Sequence, residues 1–214
     1  MTSARSEILA RVRAAIAARP GRDTPVPRTY RQAGDLPAED RIRLFCQRVA
    51  DYRAEIECVD ATQIAPAIRR ACERHGARRM AIAAGLPTDW HPAGVELIED
   101  TGLDAHALDD LDGAITGCTV AVAETGTLAL AAGPHEGRRA VTLVPDLHIC
   151  VVQAEQIVEL LPEALAVLGE LVIGERRPIT LISGPSATSD IELARVEGVH
   201  GPRKLAVLVV GEHD

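Results

Sequence analysis

The sequence predicts an α/β protein, a sheet covered by helices with some antiparallel pairing in its centre. Two observations carry this. Helical and strand periodicities alternate on both sides of a strand-rich middle. The strand-like runs are short and aliphatic, and several end in polar loops marked by glycine. The chain has 214 residues, 47% of them apolar but only 2% aromatic, so its core must be built from Ala, Val, Leu and Ile. That length suffices for one substantial core and a helical appendage.

Residues 3–18 read as a helix, with Ile8, Leu9, Val12, Ala15 and Ile16 at three- and four-residue spacing. Ser3 can cap it and Pro20-Gly21 ends it. From Pro20 to Pro37 there are four prolines and two glycines, the mark of an extended linker. A second amphipathic helix covers 38–53, with Ile42, Phe45, Cys46, Val49 and Tyr52 as its stripe. Glu55 to Val59 reads as a strand. Ala61 to His75 is a third helix, stopped by Gly76. Met80 to Ala84 and Val95 to Ile98 are short apolar runs, and Leu108 to Thr116 reads as a short helix. Thr119 to Ala123, Leu128 to Ala132, Ala140 to Val144 and Ile149 to Val152 are strand-like. Glu155 to Leu168 has a helical stripe. Ile179 to Ile182 and Leu205 to Val210 complete the strands.

The net charge of -8 argues against a nucleic-acid backbone as partner, and the scarcity of aromatics removes stacking platforms for bases. No apolar run reaches membrane-spanning length, and the basic N-terminus lacks the apolar segment of a signal peptide. A cytoplasmic location without membrane contact is the expectation. The five cysteines are Cys46, Cys58, Cys72, Cys118 and Cys150. They form no C-x-x-C, so no zinc or iron–sulfur site is signalled, and most are expected to be buried small hydrophobes. No histidine pair has local metal-ligand spacing, and no metal site is expected.

Three loops carry the candidate chemistry. Glu124-Thr125-Gly126-Thr127 joins two apolar runs through a turn in which Gly126 supplies the positive φ. It is either an ordinary hairpin tip or a site loop. Interior-looking flanks place Glu124 near the core, where burial would raise its pKa and suit it to proton transfer or nucleophilic attack. Ser183-Gly184-Pro185-Ser186-Ala187-Thr188 follows a strand and precedes a helix start, where backbone N–H groups can hold an anion. Ser189 and Glu192 form a capping box and are assigned to structure. Ser183, Gly184, Ser186 and Thr188 are the ligand candidates. His200 sits between Gly198 and Gly201 and before Pro202, and reads equally as a catalytic group and as a surface histidine. His148 has a structural or ligand-orienting role at a strand start. Gly85 is a weak candidate for a phosphate-facing turn. His75, His91, His106, His135 and His213 read as solvated. There is no G-x-G-x-x-G, Walker loop or G-x-S-x-G.

These segments resemble the LUD-domain family, in its lactate utilization protein C branch. The match runs through Ala123-Glu124-Thr125-Gly126-Thr127-Leu128, then Pro145-Asp146-Leu147-His148-Ile149-Cys150-Val151-Val152, then Ser183 to Glu192, then Gly198-Val199-His200-Gly201-Pro202. Order and spacing agree, from about residue 40 to about residue 210. The resemblance implies a fold similar to the NagB/RpiA/CoA-transferase group, with residues 1–37 as an N-terminal helix and Pro-rich linker and 38–214 as the LUD domain. It implies a role in oxidising L-lactate to pyruvate beside two iron–sulfur partner subunits. Longer family members carry cysteine-rich ferredoxin-like segments that this chain lacks, so no cofactor is expected in this chain and the clusters are expected on the partners. The family usually has a basic residue after Ser-Gly-Pro-Ser, where this chain has Ala187.

Two other functions stay open on the sequence. One is a stand-alone transferase or isomerase on an acyl or phosphorylated small molecule, with Glu124 as nucleophile or base and Thr125, Gly126 and Thr127 around its ligand. The other is a non-catalytic ligand-sensing module. Fold alone does not choose among them.

Overall fold

The computed structural model describes residues 4–18, 27–188, 196–197 and 201–211. They fall in two units, one ending at Tyr30 and the other beginning at Arg31, each described by itself. The first contains helix α1 (Ala4–Ala18). Its Glu7 and Arg11 pair one turn apart at 2.7 Å. The cap expected at Ser3 and the stop at Pro20-Gly21 lie outside the described residues.

The second unit carries α2 (Ala38–Asp51), β1 (Glu55–Val59), α3 (Ile64–His75), β2 (Arg79–Ile82), β3 (Glu96–Glu99), α4 (Ala105–Asp109), β4 (Gly113–Thr116), β5 (Val120–Val122), β6 (Thr127–Leu130), β7 (Leu147–Gln153), β8 (Ile157–Val158), α5 (Leu161–Glu175), β9 (Thr180–Ile182), β10 (Ala187–Thr188), β11 (Val196–Glu197) and β12 (Lys204–Val210). The main sheet is six-stranded in the order β1-β12-β7-β4-β2-β3. Every pairing in it is parallel. The antiparallel pairing lies in a second sheet, β8-β5-β6-β9, where β6 pairs antiparallel with both β5 and β9.

The central strands explain the layering. Alternate residues of β7 point to opposite faces, as the pleat requires. Leu147, Ile149 and Val151 pack with Ile68 and Cys72 of α3. Cys150 and Val152 pack on the other side with Phe45 and Val49 of α2 and with Ala121, Leu128 and Leu130 of the second sheet. β12 divides in the same way, with Ala206, Leu208 and Val210 on one side and Leu205, Val207 and Val209 on the other. A parallel sheet buried on both faces needs such continuous apolar runs. The outer face of the second sheet, Val120, Val122 and Ala129, is closed by Ala164 and Leu168 of α5. The layers are thus α3, main sheet, α2 with the second sheet, and α5. α3 stops as expected: Gly76 has φ +68 and Ala77 N–H donates to Cys72 O at 2.9 Å.

Three elements differ from expectation. The run Leu108 to Thr116 is not one helix; α4 ends at Asp109, and 113–116 is β4. Asp112 breaks the run by accepting from the N–H groups of Arg78 and Arg79 at 2.7 and 2.9 Å, which seats β4 beside β2. Ala140 to Val144 is not a strand. Arg139–Thr142 forms a 3-10 turn that tucks Val141 against Ala81 and Leu108. The helix expected from Glu155 begins at Leu161 and runs to Glu175. Its would-be first turn is spent on β8, which pairs with β5 through Ile157 and Val158. Pro162 sits in the first turn of α5, where its missing N–H costs nothing.

Most of the cysteines are buried, as expected. Cys72, Cys118 and Cys150 are buried, whereas Cys58 is exposed and lies 3.7 Å, sulfur to sulfur, from Cys46. Among the described residues, no helix is long and apolar enough to cross a membrane.

Candidate functional site

The hairpin between β5 and β6 is fixed by backbone bonds past the end of β5. Ala123 N–H donates to Val158 O at 2.8 Å and Glu124 N–H to Glu159 O at 3.0 Å. Gly126 has φ +61 and lies so close to α2 that a Cβ would fall 2.8 Å from that of Arg48. Thr125 and Thr127 share a hydrogen bond of 2.7 Å, and Thr127 bonds Ser183 at 2.8 Å. The hairpin and the loop after β9 are therefore joined by a chain of hydroxyls. Gly184 (φ +91) packs its Cα against Tyr52 at the end of α2.

Glu124 is not near the core. Its side chain is 48% exposed and pairs with Arg31 at 2.6 Å. Gly126 and Thr127 are buried, but the Glu124 side chain leaves the turn towards solvent, so interior-looking flanks do not carry it inward. The buried acid is its neighbour Glu159, 5% exposed. Glu159 accepts from the N–H groups of Asp35 and Leu36 at 2.7 and 2.8 Å and ties the segment before α2 to the domain.

A pocket of about 340 Å³ opens beside this hydroxyl chain. One wall is the stretch 179–187, including Ser183, Gly184 and Ser186. Another is Arg139, Thr142 and Leu143, and the remainder is His148, Gly201, Pro202 and Leu205. The two ends of the site loop are stitched together where Ser186 N–H donates to Pro202 O at 2.8 Å.

His148 is 1% exposed. Thr116 Oγ1 lies 2.9 Å from Gly117 O and shares a hydrogen bond of 2.8 Å with His148 Nε2. Cys150 Sγ also donates to Gly117 O, at 3.4 Å. Nδ1 is buried and has no hydrogen-bond partner. Burial alone pushes the imidazole pKa down to about 4, so the ring is neutral at pH 7.

Gly85 does not join this pocket. It lines a second one with Ala84, Pro134 and Arg138, and a Cβ there would meet Pro134 at 2.7 Å. Its glycine serves close packing. Arg139 borders both pockets. Thr188 belongs to β10, opposite Val196. His200, Ser189 and Glu192 lie outside the described residues, as does His213. Two histidines read as solvated are not. His91 has a buried, unpartnered Nε2. The His75 side chain is only 15% exposed; its Nε2 lies 2.8 Å from Glu55 without hydrogen-bond alignment.

Arg139, Thr142 and Thr116 of the site, and Arg31 and Glu159 beside it, went unmarked by the sequence. Glu159 was hidden inside a stretch read as helix. Nothing in the pattern sets Arg139 apart from its neighbour Arg138, which is spent on Asp100 through bonds of 2.6 and 2.7 Å.

The LUD domain family model matches residues 60–210. A lactate utilization protein C of Deinococcus radiodurans is 43% identical over 210 residues, covering 97% of this chain and 96% of that protein. A lactate utilization protein C of Bacillus velezensis is 27% identical over 201 residues, covering 86% and 83%. The crystal structure of a DUF162 family protein from Deinococcus radiodurans superposes with a TM-score of 0.73 at 39% identity, covering 83% of this chain and all of that one. With the motifs in order on a matching α/β fold, the chain belongs to the LUD domain family.

Proposed function

We propose that this chain is a component of a lactate-utilisation system that oxidises L-lactate to pyruvate. It works in the cytoplasm with iron–sulfur partner subunits that carry the electrons, and the pocket beside His148 is its small-molecule site. The observation that carries this reading is a pocket that brings together residues of three of the family's segments, His148, Ser183 to Ala187 and Gly201-Pro202, in a chain 43% identical to a lactate utilization protein C. Glu124, on which a stand-alone transferase would rely, is absent from the pocket's described walls and engaged with Arg31. We assign it to that ion pair.

The test is genetic and biochemical. Deletion of the gene in its host should abolish growth on L-lactate as sole carbon source and spare growth on pyruvate. Tagged protein from lactate-grown cells should bring down iron-containing subunits that reduce a dye when L-lactate is added. Normal growth of the deletion strain on lactate would overturn the proposal.

A further inference from the structure

We infer that Cys46 and Cys58 are an oxidisable dithiol, which hydrogen peroxide closes into an intramolecular disulfide that staples α2 to β1. Neither cysteine lines the pocket described above, and the inference stands apart from the proposed role.

A helical stripe and a strand pleat bring the two sulfurs together. On α2, Cys46 shares the face of Ile42, Phe45 and Val49 that packs on the main sheet. On β1, alternation sends Glu55 and Glu57 towards α3, where they pair with Arg74 and Arg70. It sends Ile56 and Cys58 towards α2. β1 is the outermost strand of its sheet, so this margin of the layer opens to water. Cys58 is exposed, Cys46 is half-buried, and their sulfurs are 3.7 Å apart. That is van der Waals contact, and rotation of the two side chains closes it to the about 2 Å of a disulfide.

Exposure divides the chemistry between the thiols. The Cys58 thiolate attacks one peroxide oxygen, the O–O bond breaks, and a sulfenic acid forms as hydroxide leaves. Cys46 is kept a thiol by its hydrogen bond to Cys58 and by burial, both of which push its pKa up. Once Cys58 is a neutral sulfenic acid, the first of these restraints is gone. The Cys46 sulfur then attacks the Cys58 sulfur, the S–O bond breaks, and the departing hydroxide leaves as water with the Cys46 proton. Two thiols and one hydrogen peroxide give one disulfide and two waters; the sulfurs lose two electrons and the peroxide oxygens gain them. Cys72, Cys118 and Cys150 are buried and stay reduced. The staple also holds the helix behind both site loops, since α2 meets Gly126 at Arg48 and Gly184 at Tyr52.

The experiment exposes the folded full chain to hydrogen peroxide, then alkylates it in denaturant and digests it with trypsin. Cleavage after Arg43, Arg48, Arg53 and Arg69 separates the two cysteines. The bond should therefore appear as peptide 44–48 joined to peptide 54–69, released by dithiothreitol. The count of free thiols should fall by two from five. Cys46→Ser lacks the second sulfur, so Cys58 should stop at the sulfenic acid and be trapped by dimedone at about tenfold or more the native level. The oxidised chain should unfold at a higher urea concentration than the reduced one, because the bond restricts the unfolded chain without displacing α2. Thiol loss without the linked peptide, a disulfide between two chains, equal dimedone trapping in native and variant protein, or a urea midpoint unchanged or lowered by oxidation would each overturn the inference. So would a linked peptide that forms as fast in the urea-unfolded chain, since nearness in sequence and not the fold would then join the sulfurs.

Discussion

Acid should destabilise this fold through His148 in particular. The imidazole is neutral in the folded chain down to about pH 4, against an ordinary value of 6.5. Below pH 6.5 the unfolded chain takes up a proton that the folded one refuses. The stabilisation is therefore complete above pH 6.5, falls as pH drops, and is gone below about pH 4. The gap corresponds to about 3 kcal/mol, at about 1.4 kcal/mol per pH unit. Carboxylates titrate in the same range, so a control without the histidine is needed. Thr116→Val with His148→Leu removes both members of the hydrogen-bonded pair and leaves no orphaned hydroxyl. Urea unfolding of both proteins at steps from pH 7.5 to pH 4 gives two stability curves. Their difference should grow by about 3 kcal/mol towards acid, with the native protein losing more. A flat difference would mean that His148 charges freely in the fold and that its burial carries no penalty for the proton.

The remaining predictions concern the frame of the site. Gly126→Ala and Gly76→Ala share nearly the same positive φ, +61 and +68, but only Gly126 has neighbours within reach of a Cβ. Gly76→Ala should cost about 1 kcal/mol in denaturant unfolding and Gly126→Ala about 2 kcal/mol or more; equal costs would show that the approach of α2 is soft. Glu159→Ala orphans the N–H groups of Asp35 and Leu36. It should cost about 3 kcal/mol and expose residues 31–36 to protease, and an unchanged digest would contradict that tie. Glu124→Gln removes an ion pair between side chains 48% and 63% exposed, so unfolding should shift by less than about 1 kcal/mol, with lactate-dependent turnover near the native level. A loss of about 100-fold in that turnover would return Glu124 to the chemistry.

Much of the fold was legible because burial writes itself into apolar runs. β7 and β12 are continuous hydrophobic stretches, and α3 shows its stripe and its glycine stop. β4 was not legible, since it is a run of 4 residues between Asp112 and Gly117, and the preceding Leu108 and Leu111 extend a helical spacing into it. β8 has two residues, too few for any period, and they also fit the stripe of the helix that follows. The site divides in the same way. The loops at 124–127 and 183–186 announce themselves by hydroxyls and glycine, and the fold joins them through Thr127 and Ser183. Arg139 does not, because what distinguishes it from Arg138 is a partner, Asp100, far away in sequence.

The pocket is where it is because of strand parity. In β7 the even-numbered residues face α2 and the second sheet, and Cys150 and Val152 fill that layer with apolar atoms. His148 is the even-numbered residue nearest the start of the strand. It shares their face, but it lies where the segment 179–187 and Gly201-Pro202 take over the cover. The neighbouring strand answers it on the same face. Ala114 lies in register opposite His148, and Thr116, the next residue of β4 on that face, lies opposite Cys150. Its hydroxyl reaches back across the strands to Nε2. One nitrogen is therefore satisfied from inside the sheet, and the other is buried without a hydrogen-bond partner. A slip of one residue in the pairing of β7 would put Leu147 in its place and turn the histidine towards the apolar layer under α3. The apolar register that holds the two layers together thus also sets which residue of β7 borders the pocket. Packing and the lining of the pocket are coupled here through one strand.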